Sequence, residues 1–263
     1  MMIEMITASP FLMGAATIVV MLTCVWVASV VLRDAGIIDM FWGLGYALIA
    51  LTTLLSSETL SPLAIATGLA VIAWGLRLFV HLLIRWRKEA EEDYRYQAMR
   101  KKHGDSFWWR SIYIVFLFQG LLMWLVSMPF MAAFYFAGPA ALPGLTIVFL
   151  VIALGGLYME TMADVQLTKF RANAKKGELL DNGWWKRTRH PNYFGDALFW
   201  WGIYAAVVAA TPEAIWTIFA PLTMNYLLVK VSGADLLEYG LKKKPGYAEY
   251  MQRTNRFVPK IFG

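Results

Sequence analysis

The chain has 263 residues, of which 59% are hydrophobic and 16% charged, against about 25% charged in a typical soluble domain. A mean hydropathy of +0.52 with 12 Trp and 12 Tyr excludes a water-soluble globular enzyme. It predicts an all-α, polytopic membrane protein with aromatic residues at both interfaces. The net charge of +6 reads as a basic membrane face against anionic headgroups; a nucleic-acid role is excluded because the basic segments carry no recognisable binding module.

Runs of about 20 apolar residues suffice to cross a bilayer, and seven are predicted, at roughly 11–32, 37–56, 61–84, 111–137, 143–163, 195–211 and 213–231. The first lacks a basic leader and a small-residue cleavage pattern, so it reads as a retained span. It contains Cys24, the one cysteine, which excludes a disulfide framework and predicts a buried free thiol. His81, His103 and His190 are too scattered for a metal centre. The connectors SSETLSP, AGPAALPG and ATPEA hold no Lys or Arg, whereas those around 85–110 and 169–190 hold eight and seven. By the positive-inside rule the N-terminus faces out and the C-terminus is cytoplasmic. No internal repeat, glycine-rich linker or low-complexity tract appears, so residues 1–263 read as one membrane-embedded domain, without a sign of obligate oligomerisation.

Ionisable groups within spans point to a site. Asp39 opens the second span in IIDMFWGLGY. Asp39, Gly43 and Tyr46 fall at i, i+4 and i+7, on one helical face. An acid and a phenol with a glycine gap between them can hold and polarise a carbonyl oxygen; alternatively Asp39 caps the helix N-terminus. Trp42 lies within the same turn sequence. In the third span Arg77 and His81 are four apart, and Arg77 either snorkels or pairs with Asp39. Gln119, in VFLFQGLLMW, needs a partner from another helix or a ligand.

The second half is denser. METMADVQLTKFR places Glu160 and Asp164 on one face, with Lys169 and Arg171 beyond. Then comes KRTRHPNYFGDALFWWG. Arg187, Arg189 and His190 precede the sixth span, whose free N–H groups and dipole already favour anions, and arginine suits bidentate phosphate recognition. Asn192, Tyr193, Gly195 and Asp196 follow, Gly195 permitting close approach. The constellation suits a multiply phosphorylated cofactor. The tail, too charged to span, brings Glu238, Tyr239, Tyr247 and Tyr250, which can fold back over the same mouth.

From Asp39 to the C-terminus, and above all in TRHPNYFGD and GYAEYMQRTNRFVP, the chain resembles the steroid 5α-reductase superfamily, in particular its bacterial branch first catalogued as a domain of unknown function. The Arg-His-Pro stretch alone also resembles membrane methyltransferases that use S-adenosylmethionine on a lipid or isoprenylcysteine; ADVQLTKFR favours the reductases. The resemblance implies NADPH held by Asp164, Arg171, Asn192, Asp196 and Tyr239; with Arg187, Arg189, His190, Tyr193 and Tyr247, read above as the anion-binding mouth and its cap, the cofactor site falls in residues 143–263, facing the cytoplasm of a bacterial inner membrane. The first four helices would take an apolar enone lipid or steroid. Asp39 matches the family's second-span glutamate, one carbon shorter. Aligning the family's third-span arginine on Arg77 puts Trp74 where a tyrosine is expected, so Tyr46 would supply the phenol. Asp39 and Tyr46 are then the catalytic pair, with Trp42, Trp74 and Gln119 in the substrate pocket. The implied reaction is hydride transfer to the β-carbon of the enone while an acid polarises its carbonyl. A transporter or lipid-binding protein is disfavoured by the missing inverted repeats.

Overall fold

The computed structural model describes residues 9–88, 91–139, 142–175, 177–231 and 234–260. Among these the secondary structure is helical throughout, apart from one isolated bridge between Thr188 and Asn255. Seven helical stretches are long and apolar enough to cross a membrane by length and composition, as the hydropathy pattern predicts for a multi-pass membrane protein. The chain divides into two compact units, Met1–Leu142 with Ala210–Ala220, and Pro143–Ala209 with Pro221–Gly263. Ala210–Ala220, adjacent in sequence to the second unit, thus belongs to the first.

In the first unit, α1 (Pro10–Leu32), α2 (Ile38–Ser56) and α3 (Pro62–Trp86) begin cleanly for local reasons. Ser9 and Ser61 accept from the backbone N–H groups of Leu12 and Ala64, at 3.5 and 3.0 Å, and a proline follows each at the first helical position, where no N–H is needed. The first helix ends with Arg33 in the left-handed region at φ 57°, a position glycine usually fills. Asp34 then caps a short 3-10 turn, Ala35–Ile37, by accepting from Gly36 N–H at 2.8 Å.

The segment from 85 to 110, expected to be a connector, contains α4 (Tyr94–His103) and α5 (Phe107–Ser111). These lead through a π-helical stretch, Ile112–Leu117, into α6 (Phe118–Phe136), so the predicted fourth span at 111–137 is the end of a much longer helical run. Apolar periodicity could not reveal α4, because polar contacts hold it. Asp93 caps it by accepting from Arg95 N–H at 2.9 Å, and Arg100 forks onto Glu92 at 2.9 and 3.0 Å. Cys24, expected to be buried, is exposed; the outer face of a lipid-facing span is apolar without being packed.

The second unit contains α7 (Gly144–Asn173), α8 (Trp184–Arg187), all but the last residue of α9 (Pro191–Ala210), most of α10 (Phe219–Tyr226, its first two residues belonging to the first unit), α11 (Ala234–Leu241) and α12 (Tyr247–Arg253). The seventh predicted span is irregular: a 3-10 stretch, Pro212–Ile218, precedes α10, and π-helical Leu227–Val231 follows it.

Candidate functional sites

Each unit gathers one cluster of polar chemistry. In the first, α2 and α3 touch through glycines. A Cβ on Gly43 would lie 2.4 Å from the Gly75 carbonyl oxygen, so no side chain is tolerated there. The slot expected between Asp39 and Tyr46 is therefore filled by the backbone of α3. Tyr46 is fully buried; its ring lies edge-on to Trp74 at 5.4 Å and tilted on Trp42 at 6.1 Å.

Asp39 does not cap α2, which has Ile37 at its N-cap and no side-chain capping bond. It instead receives two donors from α4. Arg95 Nη2 donates to one carboxylate oxygen at 2.5 Å and Tyr96 Oη–H to the other at 2.6 Å. Gln119 Nε2 donates to the Tyr96 oxygen at 3.1 Å, and Trp42 Nε1 donates to Gln119 Oε1 at 2.5 Å. A continuous chain thus runs Arg95–Asp39–Tyr96–Gln119–Trp42, from a charged pair to an indole beside Tyr46 and Trp74. Gln119 has its partners on two other helices.

All five residues assigned to this end from sequence, Asp39, Trp42, Tyr46, Trp74 and Gln119, lie in or against that chain. Tyr96, buried at its centre, and Arg95 were not foreseen. Their signal was the acid-to-aromatic run EEDYRY, in which Asp93 starts a helix and places the next two side chains. Arg95 Nε also donates to Asp93 at 2.9 Å. Burial alone would raise the Asp93 carboxyl, but the side-chain and backbone N–H groups of Arg95 outweigh it and hold the acid below its ordinary value.

The second cluster is built where α7 meets α9. A Cβ on Gly195 would lie 2.6 Å from the Glu160 amide nitrogen, and one on Gly156 would lie 2.6 Å from the Gly195 carbonyl oxygen. The close approach expected at Gly195 is thus made by the α7 backbone. It sets buried Glu160 and Asp164 against the first turns of α9. Asn192 Nδ2 donates to Asp164 at 3.0 Å. The Asn192 carbonyl oxygen is buried and accepts no hydrogen bond among the described residues. Asp196 is buried in the same helix.

The tail closes over the Arg-His-Pro segment, as its aromatic and acidic content suggests. Arg189 N–H donates to the Asn255 carbonyl and Lys260 N–H to that of Arg187, both at 2.9 Å. The Thr188 hydroxyl reaches the Arg256 and Phe257 carbonyls at 3.1 and 2.8 Å. The Tyr250 hydroxyl donates to the Trp185 carbonyl at 2.5 Å, and Trp185 Nε1 in turn to that of Ala163 at 3.2 Å.

At the centre is Glu238, its side chain 8% exposed. One of its oxygens accepts from Arg189 Nε at 2.8 Å and faces His190 Nε2 at 3.1 Å. Arg189 also donates to the carbonyls of Met251 and Thr254, at 3.2 and 3.0 Å. Burial would raise the Glu238 carboxyl, but hydrogen bonds from Arg189 and His190 hold it below its ordinary value. Burial lowers the His190 imidazole further than Glu238 raises it. His190 is therefore neutral near pH 7, donating through Nε2, with its ring stacked on Tyr193 at 5.7 Å.

Arg189 and His190, assigned to an anion from sequence, are thus engaged by the protein's own tail. Arg171 and Arg187 are exposed on α7 and α8. Tyr247 is buried, its phenol pushed up to about 12 by burial and then by the Glu238 charge. Tyr239 is 72% exposed, with the Lys243 ammonium 5.1 Å from its ring centre. A phosphorylated, amide-bearing cofactor would find acceptors here in Asp164 and the buried Asn192 carbonyl oxygen, and donors in the exposed Arg171 and Arg187. Among the described residues no group of His, Cys, Asp and Glu is arranged to hold a metal ion.

No curated protein and no solved structure matches the chain. A family model covers residues 25–254, most of the chain, including Asp39 to Gln119 of the first cluster and Glu160 to Thr254 of the second. The chain belongs to that family, DUF1295, described as a protein of unknown function.

Proposed function

We propose that the protein is a membrane-embedded, NADPH-dependent reductase of the C=C bond of an α,β-unsaturated ketone in an apolar, steroid-like lipid. The observation that carries the proposal is the preorganised Arg95–Asp39–Tyr96–Gln119 chain beside the buried rings of Tyr46 and Trp74 and the half-buried Trp42. Such a chain suits a carbonyl oxygen that gains negative charge, where fixed donors contribute most. The superfamily resemblance supports the same reaction.

In this reading Asp39 is a positioning residue. Both of its oxygens accept, one from Arg95 and one from Tyr96, which suits an ionised carboxylate better than a proton donor. When the enone binds, the Tyr96 hydroxyl turns its one proton from Asp39 to the enone oxygen, beside the second N–H of the Gln119 amide, while Asp39 keeps its bond from Arg95. Tyr46, walled by Trp42 and Trp74, shapes the apolar surface against which a flat lipid lies. The aromatic bundle excludes water, and Asp39 orients the Tyr96 hydroxyl until the substrate oxygen takes over its proton. The cofactor supplies the hydride; hydride reaches the β-carbon of the enone and a proton reaches its α-carbon, leaving the saturated ketone. Asp164 and Asn192 would hold polar groups of NADPH, and Arg171 and Arg187 its phosphates, from the cytoplasmic side.

The test is thermal stability of the detergent-purified protein with NADPH, NADH or S-adenosylmethionine. A ligand that binds only the folded state adds about 2.7 kcal/mol at 100 times its dissociation constant. A rise with NADPH that is lost in Arg171→Ala is expected. A rise with S-adenosylmethionine instead would overturn the reductase in favour of methyl transfer.

A further inference from the structure

A cleft outside both clusters opens in the first unit. It measures about 460 Å³ and is lined by Leu32, Arg33, Asp34, Trp86, Arg87, Glu91 and Glu92, within the size range of small-ligand sites. Leu32 is the last residue of α1 and Trp86 the last of α3. The cleft therefore sits where two membrane-length helices end, with an indole at the level favoured by interfacial tryptophan.

Two of its acids have protein partners. Asp34 accepts from Gly36 N–H and from Trp86 Nε1, each at 2.8 Å. Glu92 accepts from Ala35 N–H at 2.7 Å and from the Arg100 fork. Arg100 also donates to the Arg33 carbonyl at 3.1 Å, which fixes the backbone at the rim. Three side chains remain, Arg33, Arg87 and Glu91, all exposed. Among the described residues none of the three has a hydrogen-bonded or ion-paired side-chain partner. The fold thus presents two guanidinium groups and one carboxylate around an open cleft at the end of the spans.

Two arginines recognise a phosphodiester by forked hydrogen bonds. A carboxylate beside them would repel a plain phosphate but attracts an ammonium. A free polar anion would have no use for Leu32 and Trp86, whereas a glycerol backbone and the first acyl carbons would. We propose that this cleft binds the headgroup of an amine-bearing phospholipid, its phosphodiester held by Arg33 and Arg87 and its ammonium by Glu91. Such a lipid ties the ends of α1 and α3 to the membrane surface and is a ligand independent of the reaction proposed above.

The experiment is native mass spectrometry of the full chain, purified with phosphatidylethanolamine, phosphatidylglycerol or soluble phosphoethanolamine, alongside thermal melting of each variant. The wild type should retain phosphatidylethanolamine over phosphatidylglycerol by at least about tenfold. The double variant Arg33→Gly/Arg87→Ala should lose retention of both lipids by at least about tenfold at an unchanged melting temperature, glycine being suited to φ 57°. Glu91→Gln should keep lipid binding but bring the two lipids to equal retention. Arg87→Lys, which keeps the charge without the fork, should fall between wild type and Arg87→Ala. Equal retention of both lipids by the wild type, or undiminished retention in the folded double variant, would overturn the proposal. So would phosphoethanolamine binding as tightly as the lipid, which would assign the cleft to a soluble ligand.

Discussion

The two polar clusters are held together in opposite ways. In the second unit the chemistry is compact in sequence: Arg187 to Asp196 form one stretch, and a single returning tail, anchored through Glu238, supplies most of its hydrogen bonds. In the first unit Asp39, Trp42, Tyr96 and Gln119 come from three helical segments spread over 81 positions of the chain, and each contributes one link. The difference teaches that a cluster can be prominent in sequence because its residues serve one another. The Arg-His-Pro segment looks like an anion site, yet two of its three basic groups grip Glu238. The less conspicuous cluster, with a lone acid, a lone amide and a tyrosine, is the one that the proposed reaction assigns to the substrate.

The largest expected effect in stability tests this asymmetry at its hub. Glu238→Ala leaves the Arg189 guanidinium, 10% exposed, without its carboxylate. Removing one partner of a buried ion pair costs about 3–5 kcal/mol, so the variant should melt far lower and expose the tail to proteolysis. A wild-type melting curve would show that the tail is not held through Glu238.

Next come the two glycine contacts, one per unit. Gly43→Ala and Gly195→Ala each drive a methyl group against backbone, at 2.4 and 2.6 Å. Overpacking of this kind costs about 1–3 kcal/mol, and comparable losses measured by chemical or thermal unfolding would show both helix pairs equally tight. Tyr96→Phe should cost about 1–3 kcal/mol, since it strips a donor from Asp39 and an acceptor from Gln119. The matching change Tyr250→Phe removes one bond to a carbonyl and should cost less.

The pH dependence separates the units further. His190 binds its proton more weakly in the fold than its ordinary value of 6.5, and Glu238 more weakly than its ordinary 4.5. Both therefore contribute stability that is present at neutral pH and lost on acidification, His190 first, from about pH 6.5 downward, then Glu238 below about pH 4.5. Melting temperature followed from pH 8 to 4 should fall in those two stages, and His190→Asn should remove the upper one. The smallest effect is at the rim: Lys243→Ala, above an exposed Tyr239 ring, should change stability by less than about 0.5 kcal/mol.

The membrane spans were legible because apolar length is a one-dimensional signal. The returning tail followed from its charge and aromatic content. Helix α4 was not legible: its residues are polar all round, and what orders them is Asp39 and Glu92 from outside the helix. The role of Asp39 was half legible, because its position at the start of a span marks a site, but the donors that occupy it lie 56 and 57 residues away. Gly195 was visible as a site of close approach and Gly43 as a gap, but what fills each, a neighbouring helix backbone, depends on packing that spacing alone does not encode.

The measurement that bears most directly on the central claim is enone-dependent NADPH oxidation by the purified protein and its Tyr96→Phe variant, with NADPH binding followed by thermal shift in parallel. Loss of a single preorganised donor to a developing oxyanion lowers turnover by about 100- to 1,000-fold. The account predicts a fall of that size in Tyr96→Phe with the NADPH shift intact. Full turnover in the variant, or equal loss of turnover and NADPH binding, would contradict it.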